Sequence, residues 1–274
     1  MTGRIQRDTL GSANRIVIKI GTTSLTYENG RVNLNRIGHL TRVICDLMNR
    51  GKEVILVSSG AIGIGVDKLK LKERPATVSG KQAVAAVGQL MLMNIYERFF
   101  SEFSQTVAQV LLTKDVTDGA ETKQNVENTF NELIQMKVVP IVNENDTVAV
   151  DEIKFGDNDF LSFIVADITH ADLLIILTDI DGYYDKNPNE YNDAILVHTI
   201  TDLTEKIEEA AGGVNSKLGT GGMLTKVHAS RLAAERGIAA VIASGEKPEI
   251  IYDILDGREV GTLFVPGNGS DGND

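Results

Sequence analysis

Short apolar runs alternate along this chain with longer stretches in which apolar residues recur at helical spacing. The apolar runs are rich in β-branched residues and occupy positions 15–20, 54–57, 107–112, 138–142, 173–177, 241–243 and 262–265. Their length and composition predict β-strands. Between the first two runs, apolar residues over 37–47 predict a helix that Gly51 ends. Further helices are predicted over about 81–103 and 125–136.

Most of these runs are apolar throughout rather than alternating. Strands that are apolar on both sides and separated by helix-length segments predict a mostly parallel sheet with helices on both faces. The more polar segments 146–157 and 179–201 are expected to leave the sheet as loops or hairpins. No linker rich in proline or serine divides the chain, so we predict a single α/β domain over 1–266 and a disordered tail over 267–274.

The composition narrows the classes of function. Among 274 residues 42% are hydrophobic and the formal net charge is −11, with no cluster of lysines and arginines that could bind nucleic acid. No apolar run reaches the roughly 20 residues of a membrane span. The N-terminus lacks a signal peptide, and the single Cys45 has no partner for an internal disulfide. We therefore expect a cytoplasmic protein that binds no membrane.

Polar or small residues directly follow four of the predicted strands. These loops lie at 21–24, 58–65, 143–146 and 178–182. Because the carboxyl ends of parallel strands form the ligand-binding edge of an open α/β sheet, the four loops predict one shared polar site. Turn residues at strand ends are the plainer explanation for any single loop, but less so for the whole set.

A glycine cluster in the stretch GTGGMLTK, at 219–226, leads into another predicted helix. Glycines let backbone N–H groups approach an anion closely, and a helix N-terminus adds positive potential at the same place. Together with Lys19 and Lys226 this pattern favours bound phosphate, although ordinary loop punctuation remains an alternative for the glycines alone. The NEND (143–146) and GDND (156–159) stretches instead suit an ammonium group and could also hold magnesium through waters. An amino acid beside ATP fits this combination.

Other well-known motifs do not occur. There is no G-x-x-x-x-G-K-[ST] match, which argues against a Walker-type ATPase. The serines at 58 and 59 lack the preceding glycine of a nucleophile elbow, and the glycines of 60–65 have the wrong spacing for a dinucleotide fingerprint. The four histidines are scattered without the spacing of metal ligands, so no protein metal site is predicted.

Taken in order, several motifs resemble the amino acid kinase family. They are KIGTTS, VSSGAIGIG, KQAVAAVGQ, VVPIVNENDTVA, IKFGDNDFLS, LLTK, LTDIDGYY, GTGGMLTK and VGTLF, which together span about 14–265. The NEND and GDND stretches are similar to those of members that phosphorylate glutamate rather than carbamate, aspartate, acetylglutamate or UMP. The resemblance implies a three-layer αβα sandwich around a mainly parallel central sheet.

The resemblance also implies a reaction. It is the transfer of the γ-phosphoryl group of ATP, with Mg²⁺, to the γ-carboxylate of L-glutamate, which is the first step of proline biosynthesis. Proline is the implied feedback inhibitor and a homo-oligomer the implied assembly. Many bacterial members carry an additional C-terminal PUA domain, which we expect this chain to lack because it ends shortly after VGTLF.

Site residues follow from the same resemblance. Lys19 and Lys226 would neutralise charge on the transferring phosphoryl group, and Asp159 would orient the two lysines. The substrate site would comprise Ser59, Gly60, Ala61, Asp146 and Asn158. The nucleotide site would comprise Lys19, Thr178, Asp179, Thr220, Gly221, Gly222, Met223, Leu224, Thr225 and Lys226. Alternatives are a related kinase with another small acceptor and a catalytically silent sensor of nucleotide or proline.

Overall fold

An eight-stranded sheet forms the centre of the fold in the computed structural model. The structure describes residues 7–148, 157–188, 190–204, 207–208 and 222–267, apart from the side chains of Lys114 and Asp157. The strands are β1 (Arg15–Ile20), β2 (Glu53–Ser58), β3 (Val107–Leu112), β4 (Val139–Glu144), β5 (Leu173–Thr178), β6 (Thr199–Ile200), β7 (Ala239–Ser244) and β8 (Thr262–Phe264). Their order in the sheet is β3-β4-β2-β1-β5-β7-β8-β6. All neighbours pair in parallel except β7 and β8, which are antiparallel.

Helices cover both faces of this sheet. They are α1 (Thr22–Leu25), α2 (Leu34–Asn49), α3 (Ala61–Lys68), α4 (Val78–Ser101), α5 (Ala120–Gln135), α6 (Asp157–Ile168), α7 (Met223–Glu235) and α8 (Ile250–Leu255), with 3-10 turns at Leu10–Ser12 and Lys114–Thr117. Within the described ranges, no helix is both long enough and apolar enough to cross a membrane. The predicted mainly parallel αβα sandwich is confirmed.

The predicted strands are all present, but several local predictions were wrong. The stretch 58–65 is predicted as a loop, whereas Ala61 begins the helix α3 directly after Gly60. The loop predicted at 21–24 contains the short helix α1. The polar segment 179–201 was expected to lie outside the sheet, whereas its last residues form the short edge strand β6. The predicted tail from 267 lies, beyond its first residue, outside the described residues.

The alternation of side chains along each strand divides the core into two layers. Ile16, Ile18 and Ile20 of β1 pack on one face of the sheet, which we call the first face, together with α2 and α4. Val17 packs on the opposite, second face, together with α6 and α7. Because side chains alternate along a strand, Lys19 is directed to the same second face as Val17.

Helices α3 and α4 approach each other closely through two glycines. A Cβ atom added at Gly88 of α4 would lie 1.7 Å from the carbonyl oxygen of Ala61, and one added at Gly65 of α3 would lie 2.1 Å from that of Val84. The start of α3 also depends on glycine, because Gly60 has a φ of +104°. The backbone at 60 and 61 is thereby positioned by its contact with α4.

The variant Gly88→Ala should destabilise the fold, because its methyl group overlaps backbone atoms that cannot move aside cheaply. We expect the free energy of unfolding to fall by about 1–3 kcal/mol, as for other overpacked positions. Urea denaturation of the variant and the parent protein measures this difference.

Gly63→Ala is the matched control on α3. The nearest atom to its added Cβ is Cγ2 of Thr22 at 3.6 Å, which is an ordinary contact. This variant should be neutral or gain roughly 0.5–1 kcal/mol from improved helix propensity. Equal stability of the two variants would contradict the close-approach argument.

Candidate active site

A cavity of about 1070 Å³ opens beyond the carboxyl ends of the central strands. Each of the four predicted polar loops contributes to its lining. The predicted site residues that line it are Lys19, Ser59, Gly60, Ala61, Asp146, Asn158, Asp159, Thr178, Asp179, Gly222, Met223 and Lys226. Residues separated by more than 200 positions in the sequence therefore face one space, as expected for ligand sites of open α/β sheets.

Two lysines meet on one carboxylate at the second face of the sheet. Nζ of Lys19, from β1, lies 2.5 Å from Oδ1 of Asp159, and Nζ of Lys226, from α7, lies 3.2 Å from Oδ2. The hydroxyl of Thr225 also donates to Oδ2 of Asp159, at 2.7 Å. Asp159 lies in the first turn of α6 and is fully buried, so its carboxylate is held by charged and polar partners on both oxygens.

Burial and charge act against each other at this cluster. Burial raises the pKa of Asp159. The attraction of Lys19 and Lys226, together with two hydrogen bonds, lowers it by more than burial raises it, so the pKa lies below its usual value. Burial is the largest influence on Lys19 and lowers its pKa, although Asp159 opposes this shift. The carboxylate is thus held ionised, which keeps it as a fixed counter-charge between the two amines.

An adjoining part of the cavity is lined by hydroxyl, amide and backbone groups. Nδ2 of Asn158 donates to Oγ of Ser59 at 2.9 Å and to Oδ1 of Asn143 at 3.0 Å. Gly60 and Ala61 line the cavity beside Ser59 at the N-terminus of α3, where the first backbone N–H groups have no acceptor within the helix. Such a helix start favours a bound anion.

Asp146 faces the cavity together with an arginine that sequence analysis did not select. Burial lowers the pKa of Arg74, and the negative charge of Asp146 opposes that shift, which places the two groups in electrostatic contact. Arg74 lies 72 positions from Asp146, in the connection between α3 and α4, and no local pattern distinguished it from the other charged residues around it. Both residues line the cavity.

The predicted nucleotide residues are only partly brought together. Thr178 ends β5, and its hydroxyl donates to Asp179 at 3.0 Å, while Gly222 and Met223 line the cavity at the start of α7. Thr225 bonds to Asp159 instead of lining the cavity, and Leu224 is 42% exposed and does not line it either. Thr220 and Gly221 lie outside the described residues.

Sequence analysis included Asn143 in the NEND stretch without assigning it a role of its own, and it missed Gln89, which contacts Asn143. Asn143 was predicted to follow a strand, but it is the fifth residue of β4 and is 2% exposed. Its side chain donates to Oε1 of Gln89, on α4, at 2.7 Å. A buried asparagine in a strand, next to an otherwise apolar run, is the signal that could have identified it.

The chain belongs to the amino acid kinase family, whose family model matches residues 14–244. It is 54% identical over 267 residues to "Glutamate 5-kinase" of Clostridium perfringens, covering 96% of this chain and 99% of that protein. It is 51% identical over 265 residues to "Glutamate 5-kinase" of Enterococcus faecalis, covering 95% and 98%.

Solved structures support the same fold. A carbamate kinase from Giardia lamblia bound to AMP-PNP superposes with a TM-score of 0.67 at 14% identity, covering 93% of this chain and 99% of that chain. UMP kinase from Bacillus anthracis gives a TM-score of 0.60, also at 14% identity, covering 93% and 96%. At this identity the likeness concerns the fold alone.

The variant Asp159→Asn should be strongly destabilised, because it leaves two buried ammonium groups without their counter-charge. We expect a loss of about 3–5 kcal/mol in the free energy of unfolding at neutral pH. Because the pKa of Asp159 is lowered in the folded state, its ionised carboxylate contributes fully to the free energy of unfolding above the unfolded-state pKa of about 3.9. This contribution is lost as pH falls through the folded-state pKa. The difference in the free energy of unfolding between the parent protein and the variant should therefore narrow below about pH 4.

Asp253→Asn provides the control for this measurement. Asp253 pairs with Arg258 at 2.6 Å, but the two side chains are 36% and 64% exposed. Removing such a surface pair should change the free energy of unfolding by at most about 1 kcal/mol. Urea titrations at neutral and acid pH compare the variants, and an Asp159→Asn protein as stable as the parent at pH 7 would contradict the ion-pair assignment.

Proposed function

We propose that this chain transfers the γ-phosphoryl group of ATP to the γ-carboxylate of L-glutamate and so forms L-glutamate 5-phosphate, the first intermediate of proline biosynthesis. The observation that carries the proposal is the convergence of Lys19 and Lys226 on Asp159 beside a hydroxyl- and amide-lined compartment. The names of the close relatives support the choice of glutamate as acceptor.

The two lysines stabilise charge on the group in flight. As the bond to ADP loosens, negative charge spreads over the equatorial oxygens of the phosphoryl group. Lys19 approaches from β1 and Lys226 from α7, and Asp159 fixes both amines before the substrate arrives. Preorganised cations of this kind need little rearrangement in the transition state, which makes them effective electrostatic catalysts.

The acceptor needs no general base, because a carboxylate is already ionised at neutral pH. Asp159 is fully buried and bound to both lysines, which fits an orienting role. Ser59 and the backbone of Gly60 and Ala61 hold the reacting carboxylate, which is where a helix start favours an anion. Asp146 pairs with the ammonium group, and Asn158 binds the same amino-acid head.

The nucleotide occupies the side of the cavity formed by Thr178, Asp179 and the start of α7. Among the described residues there is no group of three or more His, Cys, Asp or Glu side chains that could hold a metal ion. Mg²⁺ therefore enters with the nucleotide, since phosphate oxygens and waters supply most of its usual coordination. Proline inhibition and homo-oligomer formation remain predictions from the family resemblance, and a cytoplasmic location remains a prediction from the sequence composition.

The variant Lys226→Ala should lower kcat by about 10²–10³-fold, because it removes charge stabilisation that is strongest in the transition state. An ATP-dependent assay with L-glutamate, in which hydroxylamine traps the acyl phosphate, measures the turnover. Lys247→Ala, at an exposed lysine outside the cavity, is the control and should retain parental activity. Near-normal turnover of Lys226→Ala would contradict the assigned role.

The acceptor itself is tested with a panel that comprises L-glutamate, L-aspartate, N-acetyl-L-glutamate, carbamate and UMP, scored by ADP release. Glutamate should give the highest kcat/KM. Faster turnover of another acceptor would replace the proposal with a related kinase, whereas binding of glutamate and ATP without any product would indicate a silent sensor.

A further inference from the structure

A chain of three amide side chains connects helix α4 to the substrate side of the cavity. It begins at Gln89 of α4, passes through Asn143 of β4 and ends at Asn158 of α6, which lines the cavity beside Ser59. The consecutive contacts measure 2.7 Å, 3.0 Å and, to the serine, 2.9 Å. Neither Gln89 nor Asn143 has a role in the reaction described above.

The direction of every hydrogen bond in this chain can be assigned from one backbone group. The N–H of Glu144 can only donate, and it lies 2.9 Å from one side-chain atom of Asn143, which must therefore be the oxygen. The other atom of that amide is then the nitrogen, and it donates to Oε1 of Gln89. The Asn158 atom that contacts the oxygen of Asn143 must likewise be a nitrogen.

Two consequences follow for the groups offered to a ligand. The nitrogen of Asn158 is used by Asn143 and Ser59, so its remaining polar atom is the oxygen, which is buried without a hydrogen-bond partner among the described residues. Because Oγ of Ser59 already accepts from Asn158, its own proton is available for donation. Asn158 thus retains an unused acceptor beside the cavity, and Ser59 retains an unused donor.

These polarities match the two ends of an amino acid. An acceptor oxygen suits an ammonium group, and a hydroxyl donor suits a carboxylate. If the amide of Asn158 were reversed, a donor would face the ammonium group and Ser59 would have to donate to Asn158 instead. The orientation of this one amide therefore affects both contacts with the substrate.

We propose that Gln89 is a positioning residue that fixes the amide orientation of Asn143 and Asn158 and thereby favours substrates with an ammonium group. The inference rests on the proposed glutamate phosphorylation. Without Gln89 the nitrogen of Asn143, which is 2% exposed, loses its acceptor, and a buried unpaired donor is costly. Only the N–H of Glu144 then opposes rotation of the Asn143 amide, so Asn158 is held less firmly in one orientation.

The test compares L-glutamate with glutarate, which has both carboxylates but no ammonium group. Gln89→Met keeps the length of the side chain and removes the acceptor. It should raise the KM for glutamate by about tenfold and the competitive inhibition constant of glutarate by a smaller factor, because glutarate can lose only the contact with Ser59. The KM for ATP should change by less than about twofold. Gln89→Glu, which retains an acceptor oxygen, should preserve most of the preference for glutamate over glutarate.

Gln105→Met is the matched control. Gln105 is another partly buried glutamine, and its side chain donates to the carbonyl of Lys137 at 2.6 Å, outside the cavity. This variant should leave all three constants unchanged. If Gln89→Met does not yield folded protein, Gln89→Ala removes the same acceptor and is judged by the same constants.

The outcomes separate the two proposals. An active parent protein whose Gln89→Met variant weakens glutamate and glutarate equally, or neither, overturns the positioning role and leaves the proposed function intact. A parent protein that does not phosphorylate glutamate overturns both. A selective loss of glutamate affinity, reversed by Gln89→Glu, supports the role of Gln89.

Discussion

The fully buried carboxylate of Asp159, shared by two ammonium groups, is the interaction on which the rest of the site depends. A single buried charge is costly, and a buried lysine beside a second lysine is costlier still, so the three groups are stable only as a set. The set carries one net positive charge. It is placed where a phosphoryl group would pass, although the chain as a whole has a formal net charge of −11.

The architecture of the sheet explains how distant residues reach this site. Lys19 is directed to the second face by strand alternation, where α6 and α7 supply Asp159 and Lys226. Asn143 projects from β4 to the first face, where Gln89 of α4 meets it. The cavity lies beyond the strand ends, where neither layer of helices covers the sheet. Lys19, Asp159 and Lys226 reach the cavity from the second face. Gln89 and Asn143 approach it from the first face and contact Asn158 of α6 at the strand ends.

Much of this could be predicted from the sequence, because the dominant signals are local. Apolar runs identified the strands, and polar residues after them identified the edge of the sheet that binds ligands. Helix α3 could not be predicted in this way, since Gly63 and Gly65 lower its helix propensity. Its packing on α4 also depends on residues that are distant in sequence, such as Val84 for Gly65 and Gly88 for Ala61. Gln89 and Arg74 were missed for the same reason, as their partners Asn143 and Asp146 are distant in sequence.

The distribution of charged and neutral groups in the cavity also explains how an acidic protein could bind the two anionic substrates of the proposed reaction. At physiological ionic strength, exposed charges are screened beyond about 8 Å, so the acidic surface acts weakly on a ligand within the cavity. Buried groups are screened much less. In the proposed reaction, the buried cations Lys19 and Lys226 would face the phosphoryl group, and neutral donors at Ser59 and the start of α3 would face the acceptor carboxylate. In this arrangement full charges lie next to the phosphoryl group, whose charge redistributes during transfer, and neutral donors lie next to the acceptor carboxylate. Such an arrangement stabilises the transition state more than it tightens the binding of either substrate.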